Sequence, residues 1–123
     1  MRKEHNENGM RIKSKIWIEV EGEPVFGRGR RFLLEAIDSH GSINSAAKET
    51  GVSFRRAWSH IKAMEDRLGV KLVERTVGGK NGGGAVITPE ARAILKRFEI
   101  LENDVRKIVD RRFAALFEGG RHV

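Results

Sequence analysis

From Phe54 to Leu68 the apolar positions fall at Ala57, Ile61, Met64 and Leu68. That spacing of four, three and four gathers them on one face of an α-helix. Phe54 and Trp58 flank the stripe, Arg55, Arg56, Ser59 and Lys62 take the opposite face, and His60 and Ala63 lie at its margins. Ser53 stands where an N-cap is needed. Upstream, Ser45 to Thr50 predicts a shorter helix, capped by Ser42 or Asn44, with Ala46 and Ala47 small enough to admit a close neighbour. Gly51 supplies the left-handed backbone that ends it, and Val52 anchors the turn.

The period changes on either side. Lys13 to Glu21 alternates, with Ile16, Ile18 and Val20 on one face and Lys15, Trp17, Glu19 and Glu21 on the other, which predicts a half-buried strand. Gly22-Glu23-Pro24 turns the chain, and Val25-Phe26 predicts a short return strand. Trp17 is expected to tuck against the following helix. That helix begins near Gly27–Arg31 and carries Phe32, Leu33, Leu34, Ala36 and Ile37 toward the core, ending at His40-Gly41. Arg28, Arg30 and Arg31 at its start are placed for a supporting phosphate contact or for none.

Beyond the central pair, Lys71 to Val77 and Ala85 to Ile87 predict a hairpin around Gly78–Gly84, a tip with five glycines in seven residues and the charge of Lys80. The loop leads into a strand rather than a helix, so it is no nucleotide-phosphate cradle. Thr88-Pro89-Glu90 is a helix start with cap, proline and acid in favoured order. The helix that follows runs to about Phe117, where Gly119-Gly120 stops it. Within it Ile94, Phe98, Leu101, Val105 and Ile108 form a coiled-coil seam until Arg112 breaks the register.

Charge sharpens this picture. The 123-residue chain carries +7 at 39% hydrophobic content, and residues 53–88 hold seven basic against three acidic side chains. Two arginines in the first turn of a helix oppose its dipole unless that end faces an anion. Two helices joined sharply at Gly51 predict a helix-turn-helix, whose second helix enters the DNA major groove by its N-terminal part. Arg55, Arg56 and Ser59 are then expected to read bases, with Phe54 available to a thymine methyl. Ser53 caps the helix at the interface, and Lys62, Lys80 and Thr88 position the backbone.

Other chemistries recede. The absence of cysteine removes disulfides, thiol catalysis and cysteine-ligated zinc. His5, His40, His60 and His122 show no ligand spacing, so no metal or cofactor is expected. Ser59 and His60 adjoin, but neighbours on a helix diverge by about 100° and no third catalytic member is indicated. No apolar run reaches membrane-spanning length and the start lacks a secretory core, which predicts a cytoplasmic protein.

The stretch Val52–Arg75, followed by Ile87-Thr88-Pro89, resembles the DNA-binding domain of LysR-type regulators. It is more similar to the N-terminal domain of the molybdate-responsive ModE regulators. The likeness rests on Val52-Ser53-Phe54-Arg55-Arg56-Ala57-Trp58 and on the wing from Glu74 through Gly78-Gly79-Lys80-Asn81-Gly82-Gly83-Gly84 to Thr88, and it spans roughly residues 14–117.

The resemblance implies a sequence-specific transcriptional regulator that binds double-stranded DNA as a homodimer, joined through the first strand region and the long helix. The expected fold is mainly α with a small β component: a winged helix-turn-helix with an N-terminal strand or hairpin and a long C-terminal dimerisation helix. The expected divisions are a flexible start at 1–12, the winged domain at 13–88, the dimerisation helix at 89–117 and a tail at 118–123. Nothing after Phe117 resembles the oxyanion-binding domains of the longer regulators. Constitutive binding, a separate effector-sensing protein and an unrecognised ligand all stay open. A non-specific architectural DNA- or RNA-binding protein is the alternative.

Overall fold

The computed structural model describes residues 9–77 and 83–117. Contacts divide them into two compact units, Trp17–Lys96 and a second made of residues 9–16 with 97–117. The first unit opens with β1 (Ile18–Val20) and β2 (Glu23–Phe26), an antiparallel hairpin with an irregularity between Ile18 and Glu19. The turn sits at Glu21 and Gly22, one residue earlier than expected, with φ of 52° and 82°. Positive φ at both positions is what a two-residue type I′ hairpin requires.

The strand is also shorter than Lys13–Glu21, with Ile16 and Val20 half-buried and the opposite face exposed, as the alternation predicts. Trp17 is 50% exposed, its indole Nε1 donating to Glu19 Oε2 at 2.8 Å, and Ile18 is 36% exposed. The expected tuck of Trp17 against the next helix is therefore corrected. A neighbouring carboxylate satisfies its polar end while half the ring remains in solvent.

Helices α1 (Arg28–His40), α2 (Ile43–Thr50) and α3 (Phe54–Leu68) follow, each ended by a glycine in the left-handed region: Gly41, Gly51 and Gly69. Ser42 Oγ caps α2 by accepting from Ser45 N at 2.9 Å, and Ser53 Oγ caps α3 by accepting from Arg56 N at 3.1 Å. Between them they bury Leu33, Leu34, Ala36, Ile37, Ala46, Ala47, Ala57, Ile61 and Met64. Phe32 departs from expectation and is 51% exposed. It stands about 100° round the helix from Leu33, on the side away from Leu34.

Leu68 is only half-buried, and Glu65 takes a core place instead. Its carboxylate accepts from Leu72 N at 2.8 Å and Val73 N at 3.2 Å, which satisfies two buried amides where α3 gives way to a strand.

The second hairpin pairs β3 (Val73–Thr76) with β4 (Gly84–Ile87), Val73 opposite Ile87 and Thr76 opposite Gly84. A Cβ on Gly84 would lie 2.2 Å from Thr76 Oγ1, so any side chain there would force Thr76 to shift. Ala85 N donates to Gly41 O at 2.8 Å, tying the wing to the end of α1. α4 (Pro89–Phe117) has 29 residues, a length of roughly 43 Å. Its first turns, to Lys96, belong to the winged unit; residues 97–117 belong to the second. The fold is thus mainly helical with two small hairpins, as expected. No described helix is long and apolar enough to cross a membrane.

Candidate nucleic-acid interface

The second helix of the motif presents its basic face outward. Arg55, Arg56, Ser59 and Lys62 are all exposed, no acid occupies the first turn, and Phe54 is 40% exposed beside them. The opposite face is shut, with Ala57, Ile61 and Met64 at 0%. Amphipathicity therefore does two things at once: it fixes the helix to α2 and β2 and leaves the arginines in solvent. Lys62 reaches back to Glu65 at 3.9 Å but keeps half its side chain in solvent, where such a pair holds it only weakly.

Tertiary packing adds groups on both flanks of α3. On the wing side the guanidinium of Arg75 lies 5.3 Å from the Trp58 ring centroid and 5.9 Å from that of Phe54. Cation–π attraction at that range holds it beside the helix. On the α1 side, Arg30 Nη2 donates to His60 Nδ1 at 3.3 Å, which leaves the ring proton of neutral His60 on Nε2. Burial lowers the His60 pKa from its ordinary value, and Arg30 and Arg56 lower it further. Burial, then Arg67, also lowers that of Arg30. Ser59 meanwhile faces outward, so the adjacent serine and histidine assemble no nucleophile and base.

The expected contact residues divide accordingly. Ser53, Phe54, Arg55, Arg56, Ser59 and Lys62 share the exposed end and face of α3. Lys80 lies outside the described residues. Thr88 is 5% exposed; its hydroxyl donates to Lys71 O at 2.7 Å and accepts from Ala91 N at 3.0 Å. Its one hydrogen is committed and the hydroxyl caps α4.

On α4, Ile94 and Val105 are half-buried, while Leu101 and Ile108 are 47% and 53% exposed. Phe98, at 2%, is covered within the chain and offers no surface to a partner. The open part of the seam is Leu101, Val105 and Ile108, and Leu116 at 54% continues it beyond Arg112. Arg75 and His60 were not singled out as contacts by their spacing. Arg75 sits in a short strand and His60 at a helix margin, and only the packing of β3 and α1 against α3 gives them a role.

Comparison with known proteins agrees with this arrangement. Residues 32–92 match the family of bacterial regulatory helix-turn-helix proteins described as lysR. The transcriptional regulator ModE of Haemophilus influenzae is 46% identical over 70 residues, covering 57% of this chain and 28% of that protein. The molybdenum-pterin-binding protein MopA of Rhodobacter capsulatus is 36% identical over 113 residues, covering 92% of this chain and 41% of that one. The chain thus spans well under half the length of these relatives. The DNA-binding domain of CbnR, solved in complex with DNA, superposes with a TM-score of 0.53 at 30% identity, covering 70% of this chain and 94% of that domain.

Proposed function

The chain belongs, through residues 32–92, to the lysR family of bacterial regulatory helix-turn-helix proteins, and from that premise we propose that it is a ModE-like transcriptional regulator binding double-stranded DNA sequence-specifically as a homodimer. The observation that carries this reading is the first turn of α3: Arg55 and Arg56, exposed, at a serine-capped end with no acid to neutralise them. That end is electropositive twice over, from the helix dipole and from the side chains. A groove lined with phosphates and guanine acceptors is the complementary surface.

In this reading Arg55, Arg56 and Ser59 contact base edges, Phe54 meets a thymine methyl, and Ser53 and Lys62 set the backbone register. Lys80 and Arg75 serve from the wing. Leu101, Val105 and Ile108 join two copies, with Ile94 beside them, so that paired α3 helices meet two half-sites of one operator. A cytoplasmic setting follows from the function.

Selection of bound fragments from genomic DNA, followed by footprinting, tests the proposal. Enrichment of a two-fold symmetric sequence with a discrete footprint is the expected result. Uniform binding of every duplex, or of RNA in preference, would replace it with the architectural reading.

A further inference from the structure

The face of α3 centred on Arg55 and Ser59 does not account for its other basic residues. Arg56, His60 and Arg67 fall within about 40° of one another around the helix, on the flank that meets the first turn of α1. Arg30 reaches from α1 into this flank and bonds to His60 at 3.3 Å. Its Nε is buried and has no hydrogen-bond partner. Among the described residues Arg30 makes no ion pair.

Charges from every neighbouring element are accounted for. From α1 the charged group facing His60 is Arg30; from α3 it is Arg56, with Arg67 beyond. Glu23 of β2 is taken up by Arg67 at 3.9 Å, and Glu49 of α2 by His40. Arg30, His60 and Arg56, with no ion pair to any of the three among the described residues and one orphaned N–H, describe a place made for an anion.

We infer that Arg30, His60 and Arg56 form a phosphodiester-binding node on the α1 flank of the recognition helix, taking a DNA backbone phosphate beside the base-reading face. The inference rests on the DNA-binding reading above. Arg30 has donors for two phosphate oxygens in the geometry a guanidinium favours. Arg56 bridges the node and the base-reading face, so a phosphate seated here fixes the angle at which α3 enters the groove.

The node makes binding pH-dependent, and the sign follows from its charges. In the free protein a proton on His60 is disfavoured by burial and by two arginines. A phosphate between them opposes that field and favours the imidazolium, so binding takes up a proton; it goes to His60 Nδ1, and the Arg30 Nη2 donor released from that nitrogen turns to the phosphate. Affinity therefore rises as pH falls from the bound midpoint to the free one, which lies below the ordinary 6.5. Below the free midpoint the ring is charged in both states and the gain stops. The gain is at most about tenfold per pH unit, the limit for one linked proton.

The test uses the full chain and a random-sequence duplex, because a backbone contact is indifferent to sequence. Affinity is measured by anisotropy against pH and salt for the parent, Arg30→Gln, His60→Gln and, as a net-charge control, Lys107→Gln. NMR titration of the histidine rings is run on the parent alone, with duplex and separately with inorganic phosphate at matched ionic strength. Arg30→Gln is expected to lower the salt slope by about one and to flatten the pH profile. His60→Gln should flatten the pH profile, Lys107→Gln should do neither, and duplex should raise the His60 midpoint.

A pH profile retained in His60→Gln, or a midpoint unmoved by duplex, overturns the inference. A midpoint raised by inorganic phosphate alone overturns it in favour of a free-anion site. The parent titration needs no substitution, so it decides even if Arg30→Gln fails to fold. Failure of the parent to bind any duplex would sink the DNA-binding reading itself. Sequence-selective binding with a null node result would sink only this inference.

Discussion

The winged unit and the far part of α4 handle similar apolar residues in opposite ways. In Trp17–Lys96, Leu34, Ile37, Ile61 and Met64 are all at 0% exposure, and three glycine-ended helices close over them. In residues 97–117, Leu101, Ile108, Leu116 and Phe117 stand about half in water although the helix is regular throughout. A single helix roughly 10 Å across cannot bury its own stripe, so regularity there is no sign of a completed core. A contiguous apolar row on an otherwise charged helix is a surface suited to a partner. Periodicity is present in both regions; in the second the chain covers Phe98 and leaves Leu101, Ile108 and Leu116 about half open.

The largest expected effect comes from charging the open row. Leu101→Asp with Val105→Asp should leave a folded monomer whose operator affinity drops about 10²–10⁴-fold toward that for a half-site, the factor that linkage of two sites provides. Sedimentation and DNA titration on one sample check it. A variant that stays dimeric, or a monomer that keeps full operator affinity, would break the contrast.

The matching change in the closed region should act on the fold. Ile61→Ala removes a fully buried side chain beneath the DNA-facing surface and should lower stability by about 2–5 kcal/mol. Denaturant unfolding measures the loss; a shift well under 1 kcal/mol would mean that this core is not closed.

On the outward face of the same helix, Arg55→Ala should leave the unfolding curve in place. It should weaken operator binding by about 1–3 kcal/mol and relax selectivity at one or two base positions. Competition with single-base operator variants reads both effects.

The smallest change concerns Thr88. Thr88→Ala deletes the cap of α4 and should reduce stability by about 1 kcal/mol. The salt dependence of DNA binding should stay as it was. A slope lower by about one would place Thr88 at the interface.

Local rules alone determined much of this protein. Caps at Ser42 and Ser53, glycine stops at Gly41, Gly51 and Gly69, and the four-three-four stripe of α3 depend on near neighbours, so they were legible in the chain. The arginine pair at the start of α3 was legible for the same reason, since the helix dipole is a local property. Where a residue's partner lies far along the chain, pattern could not choose.

Alternation predicted a half-buried β1, and Ile16, Ile18 and Val20 are partly covered, but that Trp17 settles on Glu19 rather than on a helix was not legible. Phe98 and Leu101 read alike as seam positions, yet one is buried and the other half open. Thr88 reads as a cap from its place before Pro89, but that its hydroxyl also donates to Lys71 O is seen only in the fold. Arg75 on two aromatic rings and Arg30 on His60 join residues separated by 17 or more positions. Spacing carries no information about such meetings, because they exist only once the hydrophobic core has brought β3 and α1 to either side of α3.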